Sequence, residues 1–320
     1  MLCCILSIAT LASAQTTNTS LRGVVKDTSG AMVPGAAVVL TNSANGQVYR
    51  AVSTAAGEYI FPVVTPARYA ITVTSNGFAV QNRTAELLVD QPATIDFTLS
   101  VQGSAVTVDV SAGAQTLNTT DASLGNSANN ELIQALPSET RNVPDLLSLQ
   151  PGVLYLPGPK QANTDSRSGS VNGVRSDQGN LTTDGIDDND QVNGYAFTGV
   201  LRETQDSVEE FRVTTGNANA DSGRSAGAQV SMITKSGTNK FHGGAYEYNR
   251  PTITVANDWF NKQAEFDSKL PNRPGKLIRN IFGASLGGPI FKDKLFFFGN
   301  YEGTREAESF QVTQTVPTAA

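Results

Sequence analysis

Residues that could carry out chemistry are few in this chain of 320 residues. It contains one histidine, His242, and two cysteines, Cys3 and Cys4. A nucleophilic hydrolase needs a base and an orienting acid beside its nucleophile, and a zinc peptidase needs several His and carboxylate ligands with a water-activating Glu. A single histidine supplies neither set. We therefore predict that the chain is not an enzyme, that it binds no cofactor or metal, and that His242 is structural.

The densest group of potential ligands is an acidic segment, residues 184–190, with the sequence DGIDDND. Ca²⁺ takes several carboxylate and carbonyl oxygens, but this spacing departs from the D-x-D-x-D-G start of an EF-hand loop. Asp and Asn side chains also cap their own backbone in turns that hold no metal. The sequence favours a self-capped turn and leaves a calcium site as the alternative.

The elements that position these residues begin after an apolar run of 14 residues, which ends in Ala12-Ser13-Ala14. An apolar core before an A-x-A site predicts a signal peptide over residues 1–14, cleaved before Gln15, although the usual positive start is missing. A lipid-anchored cysteine is the alternative. No later run reaches the ~18 apolar residues that read as a transmembrane helix.

Composition favours strands and turns. Glycine is abundant (29 residues), charged residues make up only 16%, and the 23 basic and 29 acidic residues give a net charge of −6. Glycine, serine and asparagine disfavour helix interiors. No run of four or more Lys and Arg residues occurs, so no nucleic-acid partner is predicted.

Residues 20–100 predict an antiparallel β-sandwich, because short alternating runs are separated by glycine-containing turns. Ile71, Val73, Phe97 and Leu99 are expected to face inward. The predicted strands are 23–26, 37–41, 48–53, 59–63, 69–74, 83–89 and 94–99.

A linker follows at residues 101–117, and it contains an isolated alternating strand. This strand consists of Ala105, Val106, Thr107, Val108, Asp109 and Val110. A short strand between flexible flanks has unpaired edges that can add to another protein's sheet. The alternatives are an additional sandwich strand and an ordinary linker.

Residues 118–235 predict a small α/β domain. Two short helices end at Pro137 and Pro151, because proline cannot continue a helix. Strands are predicted at 169–174, 179–187, 208–215 and 228–234.

Residues 236–320 predict strands of a membrane barrel. His242, Gly244, Tyr246 and Tyr248 alternate with Phe241, Gly243, Ala245 and Glu247, and a similar alternation runs through 279–286. Such alternation suits strands with one face toward lipid and one toward a lumen, and a soluble hairpin is the alternative. Spanning strands need ~9–11 residues and the smallest barrels have about eight strands. We therefore expect the first strands of an incomplete barrel, from a fragment of a longer product or a broken gene.

Particular motifs in residues 20–100 resemble the carboxypeptidase regulatory-like module, which has a transthyretin-like fold. They are Gly23-Val24-Val25, Pro34-Gly35-Ala36, the run TAAGEY at 54–59, Ala67-Arg68-Tyr69 and Gly77-Phe78. The module accompanies a zinc peptidase in some proteins but carries no catalytic residues itself. The resemblance implies carbohydrate contact or a spacer role.

A longer series of motifs resembles the TonB-dependent outer-membrane transporters, in the Oar-like subgroup that carries this module in front. The series runs LPSETRN, DLLSLQPGV, VNGVRSDQGNLTTDGID, VEEFRVTTGNANADSGRSAGAQVSMITKSGTNKFHG and GPIFKDKLFFFGNYEG. The resemblance implies a plug domain at 118–235, the start of an outer-membrane barrel at 236–320, and a strand at 105–110 that pairs with the periplasmic coupling protein TonB. Plug loops that contact the solute are implied at Asp187, Asp188, Asn189, Asp190, Tyr195 and Phe197.

The function implied is TonB-coupled receptor or transport activity in the outer membrane. Its partners would be membrane lipid, a TonB-type coupling protein and a small-molecule, glycan or peptide solute. The alternative is a secreted β-sandwich module that binds carbohydrate or protein in adhesion. The two differ in whether more barrel strands are encoded after Ala320.

Overall fold

A computed structural model describes residues 18–101, 110–111, 122–136, 141–156, 168–175, 178–190, 201, 203–219, 222–223 and 225–309. The signal peptide predicted at 1–14 lies outside these residues. The fold is mainly β, as predicted. Two compact units are present: one holds the described residues up to 240 together with 288–297, and the other holds 241–287 and the described residues from 298 onward. Among the described residues, no helix is long and apolar enough to cross a bilayer.

The first domain is a sandwich of two sheets. Its apolar side chains alternate along each strand and form one core, in which Leu21, Leu40, Tyr69 and Leu87 are fully buried. Ile71, Val73, Phe97 and Leu99 also lie in this core, as predicted. The strands are β1 (Thr19–Asp27), β2 (Ala37–Asn42), β3 (Val48–Val52), β4 (Glu58–Val64), β5 (Ala67–Thr74), β6 (Gln81–Leu87), β7 (Ala93–Thr94) and β8 (Phe97–Leu99).

The sandwich is not wholly antiparallel. The run predicted as one strand at 94–99 is split into β7 and β8, and both pair with β1 in parallel. The ladder breaks at Ile95, whose N–H donates to Arg22 O at 2.9 Å and whose carbonyl lies over Gly23, where an added Cβ would be 1.8 Å away. Asp96 fills the gap by accepting from Val24 N at 2.9 Å.

The second sheet of the sandwich has the order β3-β2-β5-β6-β9, where β9 is Val110–Ser111. Strand β9 pairs in parallel with β6, Val110 opposite Arg83 and Ser111 opposite Thr84. The described end of the linker therefore adds to the sandwich sheet, which was the alternative reading of this segment.

The middle domain, with described residues from 122 to 235, has a five-stranded sheet with helices on one face. The sheet order is β10-β16-β17-β14-β15, and only the β14–β17 pair is parallel. Helix α1 (Asn130–Ala135) begins at Asn129, whose side chain accepts from Leu132 N at 3.0 Å, and a 3₁₀ helix follows at Val143–Leu149. The strands are β10 (Leu124–Asn129), β11 (Val153–Leu156), β12 (Ser168–Val171), β13 (Val174–Arg175), β14 (Asn180–Thr183), β15 (Ile186–Asp187), β16 (Val208–Gly216) and β17 (Gln229–Thr234).

Two of the strands predicted in this domain are in fact hairpins. The segment 169–174 turns at Asn172-Gly173 between β12 and β13, and the segment 179–187 turns at Asp184-Gly185 between β14 and β15. All four turn residues have positive φ, from 50° to 82°. Asn-Gly and Asp-Gly pairs favour the two-residue hairpin turns that require this conformation.

The last sheet consists of three long antiparallel strands, called the long-strand sheet below. It has the order β18-β19-β20, with β18 at His242–Arg250, β19 at Leu277–Phe291 and β20 at Leu295–Glu308. Strands β19 and β20 have 15 and 14 residues, more than the predicted 277–286 and 295–301, and longer than a membrane-spanning strand needs. Helix α2 (Trp259–Asp267) lies between β18 and β19 in the chain, and Asp258 caps it.

Candidate functional site

The acidic segment 184–190 is fastened by its side chains to strand β14 and to residue 201. Asp188 is buried and accepts hydrogen bonds from Thr183 Oγ1 at 3.2 Å and Leu201 N at 2.9 Å. Asn189 accepts from Leu181 N at 2.9 Å and donates to Asn180 Oδ1 at 2.8 Å. Within the segment, Asp187 Oδ1 accepts from Asn189 N at 3.0 Å, which is the self-capped form that its composition favours.

The other acidic side chains of this segment divide between structure and surface. Asp184 accepts from Thr234 N at 2.9 Å and Thr234 Oγ1 at 2.7 Å, which fastens the β14–β15 hairpin to the end of β17. Asp187 is exposed, and Asp190 is half-buried. Tyr195 and Phe197 lie outside the described residues. Within the described part of the chain, no group of three or more His, Cys, Asp or Glu side chains is placed to hold a metal ion.

The predicted coupling strand is described only at its end. Ala105, Val106, Thr107, Val108 and Asp109 lie outside the described residues, and Val110 begins β9. Because β9 pairs with β6, the predicted coupling strand leads directly to the edge of the sandwich.

An interface that the sequence did not indicate joins the sandwich to the middle domain. The central strands β16 and β17 are buried on both faces. One face is apolar and packs into the core of the domain, with Phe211, Val213, Val230 and Met232. The other face is polar yet buried, and is called the polar plate below; it consists of Glu210, Arg212, Thr214, Gln229 and Ser231.

A single loop of the sandwich covers the polar plate. This loop, residues 88–91, follows β6 and is called the clamp loop. Val89 N lies 3.1 Å from both Oε1 and Oε2 of Glu210, Gln91 Oε1 accepts from Arg212 Nη1 at 2.8 Å, and Asp90 Oδ2 accepts from Ser231 Oγ at 2.8 Å. Three neighbouring residues of one loop therefore contact three side chains of two adjacent strands.

Glu210 is the unusual member of this interface, because its side chain is a carboxyl group removed from water. The residue is 5% exposed, and burial raises the pKa of Glu210 to about 7. The hydrogen bond from Val89 N and the charge of Arg212 oppose this rise, while Glu86 and Asp90 add to it. The interface therefore contains a group that titrates close to neutral pH.

Sequence reasoning missed Glu210, Arg212 and Ser231 because polar residues that alternate with apolar ones are expected to face water. The run VEEFRVTT was correctly predicted as an amphipathic strand. What covers its polar side lies more than 100 residues earlier in the chain, since Val89 and Glu210 are 121 positions apart. A local pattern holds no signal for such a contact.

The long-strand sheet has two chemically different faces. On one, Arg279 forms two hydrogen bonds to Glu306 at 3.0 and 2.8 Å, and Tyr246 donates to Glu302 at 2.7 Å. His242 stacks on Phe298 on the same face, with ring centroids 6.4 Å apart. This face is called the polar face.

The opposite face, called the apolar face, consists of residues that alternate with the first set, and toward Arg250 it also carries Glu247 and the Asn249–Asn280 pair. Ala284 and Leu286 lie on it opposite Ala245 and Gly243 of β18. Leu286 is 55% exposed and Tyr301 is 66% exposed. A mainly apolar exposed face opposite a face with an ion pair and a Tyr–Glu hydrogen bond is the distribution expected of strands between lipid and a polar interior.

Comparison with known families matches both ends of this architecture. Residues 20–100 match the carboxypeptidase regulatory-like domain, and residues 233–320 match an outer membrane beta barrel domain. Over 302 residues the chain is 26% identical to the TonB-dependent transporter Oar of Myxococcus xanthus. The chain is a relative of the TonB-dependent transporters. It is a protein of the cell outer membrane, which argues against the secreted-module alternative.

The relationship to Oar covers 89% of this chain and 26% of Oar, so the chain spans about a quarter of the length of that relative. Among solved structures, the siderophore receptor PirA from Acinetobacter baumannii is similar at 21% identity over 56% of this chain and 24% of its own, with a TM-score of 0.40. Chlorocatechol 1,2-dioxygenase from Pseudomonas putida is similar over 28% of this chain and 62% of its own, at 13% identity and a TM-score of 0.23. Neither likeness is close enough to support a functional argument.

Proposed function

We propose that the chain acts in TonB-coupled uptake of a solute across the outer membrane. In this proposal the long-strand sheet is part of the barrel wall, with its apolar face toward lipid and its polar face toward the lumen. The middle domain is the plug inside that lumen. The observation that carries the proposal is the separation of an exposed, mainly apolar face from a face that carries the Arg279–Glu306 ion pair and the Tyr246–Glu302 hydrogen bond, on strands of 14 and 15 residues.

The middle domain has properties that suit a plug. Its surface turns are rich in Asn, Asp and Gly. Glycine tolerates close approach of a surrounding wall, and the polar side chains are unsuited to contact with lipid. Its core is small and is formed by the five-stranded sheet, two short helices and Val171 of β12. Movement of part of such a domain would open a path for solute without dismantling the barrel wall.

Candidate solute contacts remain those of the acidic segment and its neighbours. Asp187 and Asp190 are the accessible acidic side chains, and Tyr195 and Phe197 are the proposed aromatic contacts. Asp188 and Asn189 would act by positioning the segment, because their side chains accept hydrogen bonds from Leu201 N and Leu181 N. The solute itself is proposed only as a class: a small molecule, glycan or peptide.

In the coupling step, residues 105–110 pair with the edge strand of a sheet in a TonB-type protein. No nucleotide site is required, because the energy reaches the transporter through this partner. A six-residue alternating strand can supply main-chain hydrogen bonds for such pairing.

Cysteine scanning of 105–110 tests the proposal in cells that produce the full-length gene product with a cysteine-bearing TonB C-terminal domain. We expect disulfide crosslinks within 105–110 and few from Gln115 or Thr116 of the same linker. Val108→Pro should reduce crosslinking at the flanking positions at least tenfold, because proline removes a ladder donor, while Val108→Thr should preserve it. Equal crosslinking along the linker, or insensitivity to proline, would contradict the coupling assignment.

A further inference from the structure

The interface between the sandwich and the middle domain has a design that the proposed transport function does not explain. A sheet face that meets water needs no cover, and one that packs in a core is normally apolar. The polar plate is neither, since its five side chains are polar and buried. Burial of polar groups is unfavourable unless each finds a partner. The clamp loop provides those partners for Glu210, Arg212 and Ser231.

The clamp loop is well supported on the sandwich side. Val89 is fully buried at its centre. The carbonyl of Gln91 accepts from Thr19 Oγ1 of β1 at 2.7 Å, so the loop is fastened to a central strand of the sandwich. Its N-terminal side continues directly from β6, the strand that pairs with β9. Sandwich, clamp loop and polar plate thus form a continuous hydrogen-bonded connection.

We propose that the clamp loop is a proton-responsive latch, by which the sandwich docks on the polar plate of the middle domain at low pH and loosens from it as pH rises. The docked state must remove the Glu210 carboxyl from water, and a neutral carboxyl is far easier to bury than a charged one. The latch goes beyond the proposed transport function and does not depend on it, because docking can occur without TonB or solute.

The direction of the pH effect follows from linkage. The docked Glu210 has a pKa near 7, whereas a released Glu210 has the ordinary value of 4.5. The docked state therefore binds the proton more tightly, and docking is strongest below pH 4.5 and weakens until about pH 7. A difference of this size corresponds to a change of about two orders of magnitude in the docking equilibrium.

Charged groups of three elements lie around Glu210. Arg212 of the same strand favours the ionised form, and Asp90 of the clamp loop and Glu86 of β6 oppose it. Arg212 and Asp90 are themselves hydrogen-bonded across the interface, to Gln91 and Ser231. Loss of docking would free these pairs to water together, which makes the transition cooperative.

Loosening need not separate the two domains. Ala44 O, in the turn between β2 and β3, accepts from Asn239 N at 3.0 Å, which gives the sandwich a second attachment. The expected change is therefore a wider range of positions of the sandwich relative to the middle domain, and a distance distribution is the right measurement.

Spin labels at two exposed alanines, Ala55→Cys in the sandwich and Ala218→Cys in the middle domain, report on docking in the full chain after Cys3 and Cys4 are replaced by serine. The distance distribution between the two labels would be recorded by pulsed electron–electron double resonance between pH 4.5 and 8.5. We expect one narrow distance at low pH and a broad distribution at high pH, with the docked fraction falling at least tenfold between pH 5 and 8.

Two substitutions of adjacent glutamates separate the latch from general effects of pH. Glu210→Gln keeps the shape but cannot ionise, so the narrow distance should persist at every pH. Glu209→Gln, an exposed neighbour on the same strand, should leave the response as in the unsubstituted chain. If Glu210→Gln responds to pH as the parent does, or if the parent does not respond, the latch is wrong.

A further variant guards against misfolding of the Glu210 substitution. Gln91→Ala removes the acceptor of Arg212 from the sandwich side while leaving the middle domain intact. At every pH we expect a broader distance distribution than in the parent. The midpoint of the pH response should still lie between pH 5 and 7. An unchanged narrow distance in this variant would overturn the role of the clamp loop.

Discussion

Single residues fix the register of the strands where two backbones approach closely. In the middle domain, a Cβ added to Gly125 of β10 would lie 2.5 Å from Val213 O on β16. A Cβ added to Gly216, on the paired strand, would meet only side-chain atoms of Leu124 at 3.7 and 3.8 Å. The two glycines lie in the same sheet, but only Gly125 lacks room for a side chain.

Gly125→Ala should lower the free energy of unfolding of the middle domain by about 2 kcal/mol, because the strands must move apart to admit the methyl group. Gly216→Ala should change it by about 0.5 kcal/mol or less. Urea denaturation, followed by near-ultraviolet circular dichroism, would compare the free energies of unfolding of the two variants. Equal destabilisation by the two alanines would show that backbone approach at Gly125 is not the constraint.

At this scale the sequence was informative about cores and uninformative about interfaces. Ile71, Val73, Phe97 and Leu99 were predicted inside the sandwich from alternation alone, and they are buried. Glu210 has the same alternation signal as any water-facing residue, and its burial depends on Val89 far along the chain. Burial of the four core residues follows from a local alternation, whereas burial of Glu210 depends on a tertiary contact.

Secondary-structure elements show where turn chemistry was overlooked. The Asn172-Gly173 and Asp184-Gly185 pairs are strong hairpin signals, yet the segments around them were predicted as continuous strands. Alternation of polar and apolar residues in these segments indicates strands, but the turn residues within them determine the structure. The length of β19 and β20 was also underestimated, because Gly288-Pro289-Ile290 suggests part of the turn, whereas the strand in fact continues to Phe291.

In the long-strand sheet, the Arg279–Glu306 pair links β19 to β20. The two side chains are 7% and 29% exposed, so the pair is partly shielded from solvent. Arg279→Glu should destabilise the sheet by about 2 kcal/mol, because it places two carboxylates together. Heat-modifiable mobility of the full-length product in gels would measure the effect.

The reciprocal exchange provides the control. Arg279→Glu combined with Glu306→Arg restores opposite charges and should recover at least half of the lost stability. If the double variant is as unstable as the single one, the interaction between these two side chains does not explain the loss.

At the scale of the whole molecule, the order of domains was predictable and their contacts were not. A regulatory-like sandwich and an outer-membrane barrel region were expected from motifs, and matching families cover residues 20–100 and 233–320. Nothing in those motifs indicated that the sandwich covers the polar plate. Motifs report what each domain is, whereas docking depends on complementary groups that lie on different domains.

In the proposed function, the apolar face of the long-strand sheet meets lipid while the polar face does not. Ala284 and Ser285 are adjacent and small, and they lie on opposite faces of β19. A bimane fluorophore on Ala284→Cys should be strongly quenched by brominated lipids in outer-membrane vesicles that contain the full-length product, and one on Ser285→Cys should be quenched at most one-fifth as much. Equal quenching at the two positions, or none at either, would contradict the account.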